Sequence, residues 1–162
     1  MATRRYNPYL GYTSGPRRKA QDGIAAKSRR GAIGETWWSK RFIAVLESFN
    51  LGARLTRGRS YARSGQVMDL HIASGQVASR VQGSRAKAYV VRIGLAVLPE
   101  DAWARVEAAL ASRAVFAAKL LAGEMPQDIE AVFTEADAPL FPRQAKELDT
   151  SCSCPDWSNP CK

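Results

Sequence analysis

The sequence predicts an α+β fold: an N-terminal basic arm and helix, a four-stranded antiparallel β-meander, a cluster of helices, and a C-terminal cysteine-rich segment. Three observations lead to this prediction. Short β-like runs alternate with glycine-containing turns in the middle of the chain, apolar stripes of helical period flank them, and all three cysteines lie in the last eleven residues. At 162 residues the chain can bury a core without disulfide bonds.

Residues 1–33 are predicted to form an extended basic arm, because arginines, lysines and tyrosines are mixed with glycines and prolines without a period of 3.6 or 2. Such a segment can hold a nucleic-acid backbone and stack on bases. The alternative is an arm that packs its tyrosines along the folded domain. We expect the α+β domain at residues 34–138, a linker at 139–151 and the cysteine segment at 152–162.

The first helix is expected to begin near Gly34 and to end at 50–52, where an asparagine and a glycine favour a left-handed terminator. Trp37 and Trp38 point about 100° apart on a helix, and we expect both to be buried. Lys40 and Arg41 lie off the apolar stripe and extend the basic surface. The stripe contains Trp38, Phe42, Val45, Leu46 and Phe49.

Four strands are predicted at residues 54–61, 66–72, 77–82 and 88–95, joined by tight turns. Met68, Leu70 and Ile72 share one face, which we expect to be buried. The opposite face and the loops would then be basic and suited to a phosphate backbone. A solvated face whose charges protect the sheet edges is an equally open interpretation.

A cluster of helices is predicted after the sheet. The first begins at 99–101, where acidic residues complement the helix dipole, and breaks near Ser112. The second ends at Gly123, and a third short helix starts at Pro126. We expect these helices to cover one face of the sheet.

Charge is divided unequally between the two parts of the chain. Residues 1–92 contain 18 Lys or Arg and 4 Asp or Glu, whereas residues 93–162 contain 6 and 11. The basic part favours a polyanionic partner, since phosphate neutralisation releases counterions; a surface that only maintains solubility is the alternative. The candidate nucleic-acid-binding residues are Arg17, Arg18, Lys19, Arg29, Arg30, Lys40, Arg41, Arg57, Arg59, Arg63, Arg85 and Lys87.

The three cysteines have the spacing of metal ligands: Cys152 and Cys154 form a Cys-x-Cys pair, and Cys161 follows. No apolar run is long enough to span a bilayer, which predicts a cytoplasmic protein without membrane contact. In a reducing compartment an odd number of clustered cysteines favours metal over disulfides. His71 is the only histidine and an alternative ligand, but a single histidine on a strand is usually just a polar side chain.

The string CSCPDWSNPCK resembles the start of a SWIM zinc finger, Cys-x-Cys followed by Cys-x-His. The stretches SRRGAIGETWWSKRF, GRSYARSGQV, VQGSR and LLAGEMPQDIEAVF are similar to the N-terminal region of bacterial SWIM proteins. The resemblance implies that Cys152, Cys154 and Cys161 are zinc ligands and that Lys162 precedes the ligand histidine. That histidine would be residue 163, so we expect a finger truncated before it and an incomplete zinc site. Between the ligands we expect an Asx turn at Asp156 and a packed Trp157.

No phosphate-binding loop, nucleophile elbow or paired-carboxylate motif is present, so a protein without enzymatic activity is predicted. A thiol-redox role stays open, although the Cys-x-Cys pair lacks the context of redoxins. The SWIM resemblance implies zinc binding, DNA or protein interaction, and a link to Swi/Snf-type helicases. We therefore expect a nucleic-acid-associated module, with DNA favoured over RNA. The alternatives are a protein-interaction adaptor and a ribosome or structured-RNA binder.

Overall fold

The computed structural model describes residues 15–156 and 158–161 and confirms the α+β class. Residues 1–14, the first part of the predicted arm, lie outside the described residues. In chain order the elements are α1 (Trp37–Ser48), α2 (Ala53–Arg63), β1 (His71–Ala73), β2 (Gln76–Val81), β3 (Tyr89–Leu95), α3 (Glu100–Ala111), α4 (Ala114–Leu121), α5 (Ile129–Glu135) and β4 (Leu148–Cys152), with a short 3-10 turn at Ala145–Glu147.

The sheet has the order β1-β2-β3-β4 and every neighbouring pair is antiparallel. Strands β1 to β3 form a meander. Strand β4 enters only after the helices and pairs with β3, with Cys152 opposite Val91 and Leu148 opposite Leu95. The predicted four-stranded antiparallel sheet is confirmed, but its fourth strand comes from the segment that was predicted as a linker.

The predicted strand at residues 54–61 is wrong, because this segment belongs to α2. Its sequence, ARLTRGRSYAR, contains four arginines, two alanines and a leucine, which favour helix. Its larger apolar residues, Leu55 and Tyr61, are six positions apart and give neither an alternating pattern nor a helical stripe. The predicted strand at 66–72 is also shorter than expected, since only its end belongs to β1, while Val67 forms isolated bridges to Ile24 and Val81.

Three local signals in the helical part are confirmed. Glu100 and Asp101 stand in the first turn of α3, and Ser112 ends that helix before α4 begins. Helix α4 is followed by Gly123 with φ of +76°, the left-handed conformation that glycine adopts without strain. Local propensity and turn chemistry were therefore sufficient to place these helices.

The main hydrophobic core lies among the helices. Val106 and Val132 are fully buried, and Phe133 packs edge-on against Trp103 at 6.2 Å between ring centroids. Its buried members all belong to residues 102–138 and none of the described strand residues is among them. The expectation that the helices bury one face of the sheet is therefore wrong: Leu70 is 52% and Ile72 is 75% exposed.

The two adjacent tryptophans of α1 have different environments. Trp37 packs against the helical core, and its indole Nε1 donates a hydrogen bond of 2.7 Å to the carbonyl of Met125. Trp38 is 45% exposed, so the expectation that both would be buried is wrong for this residue. Because α1 meets α5 and residues 139–143 from one side only, neighbouring positions on the helix cannot both reach the core.

Candidate metal centre and basic surface

The three cysteines come together at one end of the sheet. Cys152 is the last residue of β4, and Cys154 and Cys161 belong to the loop that follows. Their Sγ atoms all lie within 4.8 Å of one another, and Cys161 is only 6% exposed. Sulfurs around tetrahedral zinc are about 3.8 Å apart, given Zn–S bonds of about 2.3 Å. The three thiols therefore fit a metal ion after a small contraction.

Backbone pairing and one asparagine close the loop that carries the thiols. The amide of Ser153 donates to the carbonyl of Val90 at 3.0 Å, and the Val90 amide donates to Ser153 Oγ at 2.9 Å. Thr150 Oγ1 donates to Asn159 Oδ1 at 2.7 Å, while the Asn159 amide returns a bond to the Thr150 carbonyl. These contacts bring the end of the loop back beside β4, which places Cys161 next to Cys152.

Asp156 forms the expected turn between the ligand cysteines. Its Oδ1 accepts bonds from the Ser158 amide at 3.2 Å and from Ser158 Oγ at 2.9 Å, which is an Asx turn. Its Oδ2 lies 3.5 Å from Arg57 Nη1 on α2. Trp157, expected to pack in this loop, lies outside the described residues. Asp156 therefore connects the cysteine loop to α2.

Close packing also affects the proton affinity of the Cys152 thiol. A hydrogen bond with Cys161 and then burial raise the pKa of the Cys152 thiol well above its usual range. Without metal the Cys152 thiol therefore keeps its proton at neutral pH. A divalent cation would have to displace this proton, since thiolates are the ligands that such a cation binds.

His71 does not belong to this cluster. It lies on β1, at the opposite edge of the sheet from β4, and three strand spacings separate them by roughly 14 Å. Its side chain is 76% exposed and stands 4.0 Å from Asp69. No histidine or carboxylate of the described residues joins the three thiols in the cluster.

Arg17 is docked against α2, and the next residue, Arg18, is held by Gln66 and by the loop that follows β2. Arg17 donates to Ser60 Oγ at 2.9 Å, and its guanidinium lies 4.5 Å over the ring of Tyr61. The Arg18 amide donates to the Gly83 carbonyl at 2.9 Å. The buried Gln66 side chain donates to the Arg18 carbonyl at 2.8 Å and fixes this segment in place.

The predicted strand arginines lie on α2 instead. Arg57 pairs with Asp156, Arg59 with Glu47 of α1, and Arg63 donates to the carbonyl of Gly31. The sheet face is basic only at Arg80 and Arg92, and Arg80 pairs with Asp69. The other candidates occupy exposed positions: Lys19, Arg29 and Arg30 in the segment before α1, Lys40 on α1, and Arg85 and Lys87 in the loop between β2 and β3.

Arg41 faces the acidic part of the molecule. Its guanidinium forms a bidentate pair with Glu130 of α5, with a shortest distance of 2.6 Å. The hydrogen bonds and the opposite charge raise the pKa of Arg41 and lower that of Glu130. Arg41 is therefore not part of the basic group around α2.

Two residues of this surface were missed from the sequence. Arg54 lies on α2 three residues before Arg57, a helical spacing that would have been apparent if the segment had been assigned to a helix. Gln66 is 4% exposed, and its amide donates to the carbonyls of both Arg18 and Gln82. No signal in the sequence marks Gln66, because its role depends on backbone groups that are distant along the chain.

Among residues 15–156 and 158–161 no helix is long and apolar enough to cross a membrane.

A protein of Mycobacterium tuberculosis (strain ATCC 25618 / H37Rv), described as uncharacterized protein Rv2102, is 57% identical to this chain over 145 residues. The match covers 90% of this chain and 52% of the relative, so the chain spans about half of that protein's length. No family model matches the sequence, and no solved structure matches the chain. The similarity to SWIM zinc fingers therefore stays a resemblance that depends on the cysteine spacing and the quoted stretches.

Proposed function

We propose that this protein is a zinc-binding, nucleic-acid-associated module of SWIM type without enzymatic activity. The observation that carries the metal part is the approach of Cys152, Cys154 and Cys161 Sγ to within 4.8 Å of one another. A set of three thiolates favours zinc over the hard cations, which prefer oxygen ligands. The ion would be structural, since it joins the end of β4 to the loop and supplies no step of a reaction.

The fourth position of the zinc ion is expected to be filled by water, by a thiol of another chain, or by a histidine from outside this sequence. The SWIM pattern favours a histidine directly after Lys162. A site with three protein ligands should exchange its metal more readily than a closed structural site.

Metal analysis of the purified protein tests the zinc site. We expect one zinc per chain, and we expect Cys161→Ser to lose affinity at least 100-fold, because even residues behind the ligands change affinity 10- to 100-fold. Ser151→Ala, on the exposed side of β4, is the matched control and should keep its zinc. Unchanged zinc content in Cys161→Ser would contradict the site.

A chain extended by one histidine after Lys162 tests the SWIM assignment. We expect the extended chain to resist a chelator for longer than the 162-residue chain at the same zinc content. Equal resistance would contradict a histidine ligand at that position.

The nucleic-acid part of the proposal is supported by the segment from residue 15 to residue 31, which is docked on α2 with its cations exposed. We propose that the protein acts in the cytoplasm, that DNA is its favoured ligand, and that it associates with a Swi/Snf-type helicase. Binding to a 20-base-pair duplex should weaken linearly with the logarithm of salt concentration. A binding constant that does not change with salt would contradict phosphate contact.

One surface favours a second candidate, a protein-interaction adaptor. Helix α4 is apolar apart from Lys119 and is exposed except at Phe116, with Val115 66% and Leu121 89% exposed. A helix of this kind is usually covered by another protein surface. Association with a purified Swi/Snf-type helicase that survives nuclease treatment and high salt, and that Leu121→Asp removes, would favour the adaptor.

A further inference from the structure

Helix α2 is unusual because it is a regular helix without a buried apolar side chain. None of its eleven described residues is buried, and it contains four arginines and no acidic residue. A helix of this length is marginal by itself in water, so contacts with other parts of the protein must hold it. A helix that is polar all round bridges between domains or depends on polar contacts for its stability.

Helix α2 is held by polar contacts with α1 and with the segment that precedes α1. Arg59 pairs with Glu47 of α1, the amide of Ala26 donates to the carbonyl of Ala62 at 2.9 Å, and Arg63 bonds to the carbonyl of Gly31. These three contacts fix the helix along the side formed by positions 59, 62 and 63. The side formed by Arg54 and Arg57 takes no part in these three contacts; Arg57 is exposed and Arg54 is half-buried there.

The guanidinium groups of Arg54, Arg57 and Arg17 follow one another along this side. Arg54, Arg57 and Tyr61 share one face of the helix, because they are three and four residues apart and the helix repeats about every 5.4 Å. Arg17 extends the row, because its guanidinium lies 4.5 Å over the Tyr61 ring and is fixed by Ser60 Oγ. Like charges at this spacing repel one another, and a polyanion would relieve that repulsion.

The ion pair between Arg57 of the row and Asp156 is weak. Asp156 Oδ2 lies 3.5 Å from Arg57 Nη1, and the two side chains are 22% and 47% exposed. Such a pair contributes less than about 1 kcal/mol, so a phosphate can displace it. The same carboxylate belongs to the loop between Cys154 and Cys161, which puts the row beside the candidate zinc site.

We infer that Arg17, Arg54 and Arg57, in a row along one face of α2, are the main contact with the phosphate backbone of a nucleic acid. This inference rests on the proposed function. It makes helix α2, and not the basic sheet, the principal surface that contacts the nucleic acid. Two features favour a nucleic acid over an acidic protein. Arginine forks match phosphate oxygens in regular spacing, and the docked segment at residues 15–31 contains six cations, Arg17 included, against Asp22 alone.

A pair of double variants with the same charge change tests the inference. Arg54→Gln with Arg57→Gln removes two charges of the row. Arg113→Gln with Arg143→Gln removes two charges from the helical part, where both arginines lie in exposed ion pairs, and is the matched control. Fluorescence anisotropy with a 20-base-pair DNA duplex, from roughly 50 to 300 mM salt, gives the affinity and its salt slope.

The α2 variant is expected to reduce the steepness of the salt slope by about two units, one for each arginine that no longer neutralises a phosphate, and the affinity by about tenfold or more. The control should stay within about twofold of the native chain and keep its slope. Equal slopes in the two double variants would overturn the inference. Urea unfolding of both double variants shows whether the fold is retained. The single variant Arg57→Lys keeps the charge and should therefore keep most of the salt slope of the native chain.

The remaining arms of the experiment separate the possible sources of the polyanion. An RNA duplex of the same sequence shows which nucleic acid is preferred. Displacement of the duplex by polyglutamate at equal charge concentration would favour an acidic protein partner and contradict the inference. If the native chain shows no salt-dependent binding, the nucleic-acid part of the proposed function fails; if it binds and the α2 variant matches the control, only the inference fails.

Discussion

The helical cluster at residues 100–136 and the basic surface of residues 15–31 with α2 are held together by different forces. The cluster buries Val106, Val132 and Phe133 almost completely and carries an acidic exterior. The basic surface contains helix α2, in which no described residue is buried, and is held by hydrogen bonds and ion pairs. Burial of apolar area is the larger source of stability, whereas exposed ion pairs contribute little.

This difference indicates a division of roles within one chain. The helical cluster, which contains the main hydrophobic core, has no candidate metal ligand among its buried residues. The basic surface keeps Arg17, Arg18 and Arg57 exposed, and side chains that bind a partner must stay accessible. Substitutions in the two regions should therefore affect different measurements.

Phe133→Ala should have the largest effect on stability. The ring is 5% exposed and packs against Trp103, so its loss is expected to lower the free energy of unfolding by about 3–5 kcal/mol. Urea denaturation measures this change. Leu121→Ala, at a position that is 89% exposed, is the control and should change stability by less than about 0.5 kcal/mol. Similar losses in the two variants would contradict the location of the core.

Gly23→Ala should separate the docked segment from α2 at a smaller cost. A Cβ at this position would lie 1.8 Å from the carbonyl oxygen of Gly65, so the backbone must move. We expect a loss of about 1–3 kcal/mol and faster amide exchange around Ile24, whose amide now donates to Val67 at 2.6 Å. Gly15→Ala has no neighbour within 4 Å and is the control. Unchanged exchange in Gly23→Ala would show that the segment is not held in this way.

Glu130→Gln should have the smallest effect on the free energy of unfolding. This effect is recognised by its dependence on pH. The pKa of Glu130 is lowered by Arg41, so the pair stabilises the folded state above the ordinary carboxyl pKa and loses this contribution as pH falls. Both side chains are partly exposed, which limits the effect to less than about 1 kcal/mol.

Urea midpoints at pH 7 and pH 3 measure the effect of the Glu130 substitution. The drop in stability between the two pH values should be smaller in Glu130→Gln than in the native chain. Glu107→Gln, which changes an exposed residue without an ion pair to a described residue, should leave that drop unchanged. A Glu130→Gln variant with the full drop would contradict the contribution of the pair.

The sequence predicted the elements whose signals are local. Acidic residues at the start of α3, the break at Ser112 and the glycine after α4 were sufficient to place these helices. The three cysteines were predicted as one ligand set from their spacing, and they do lie together. In each case the information is contained within a few neighbouring residues.

Elements that depend on distant partners were predicted less well. Strand β4 has mixed polar residues and forms because β3 offers it a hydrogen-bonding edge. Helix α2 lacks an apolar stripe and depends on Glu47, Gly31 and Ala26 for its contacts. Because none of these partners is adjacent in the sequence, periodicity could not identify either element.

The sequence by itself determined that the first part of the chain is basic and that three thiols stand close to one another along it. Only the tertiary structure decided which cations are neighbours. It brings Arg17 onto Tyr61, 44 residues away along the chain, and Asp156 to Arg57, while Arg41 turns to Glu130. Net charge is a property of composition, but the grouping of charges depends on long-range backbone hydrogen bonds and packing, which no local pattern encodes.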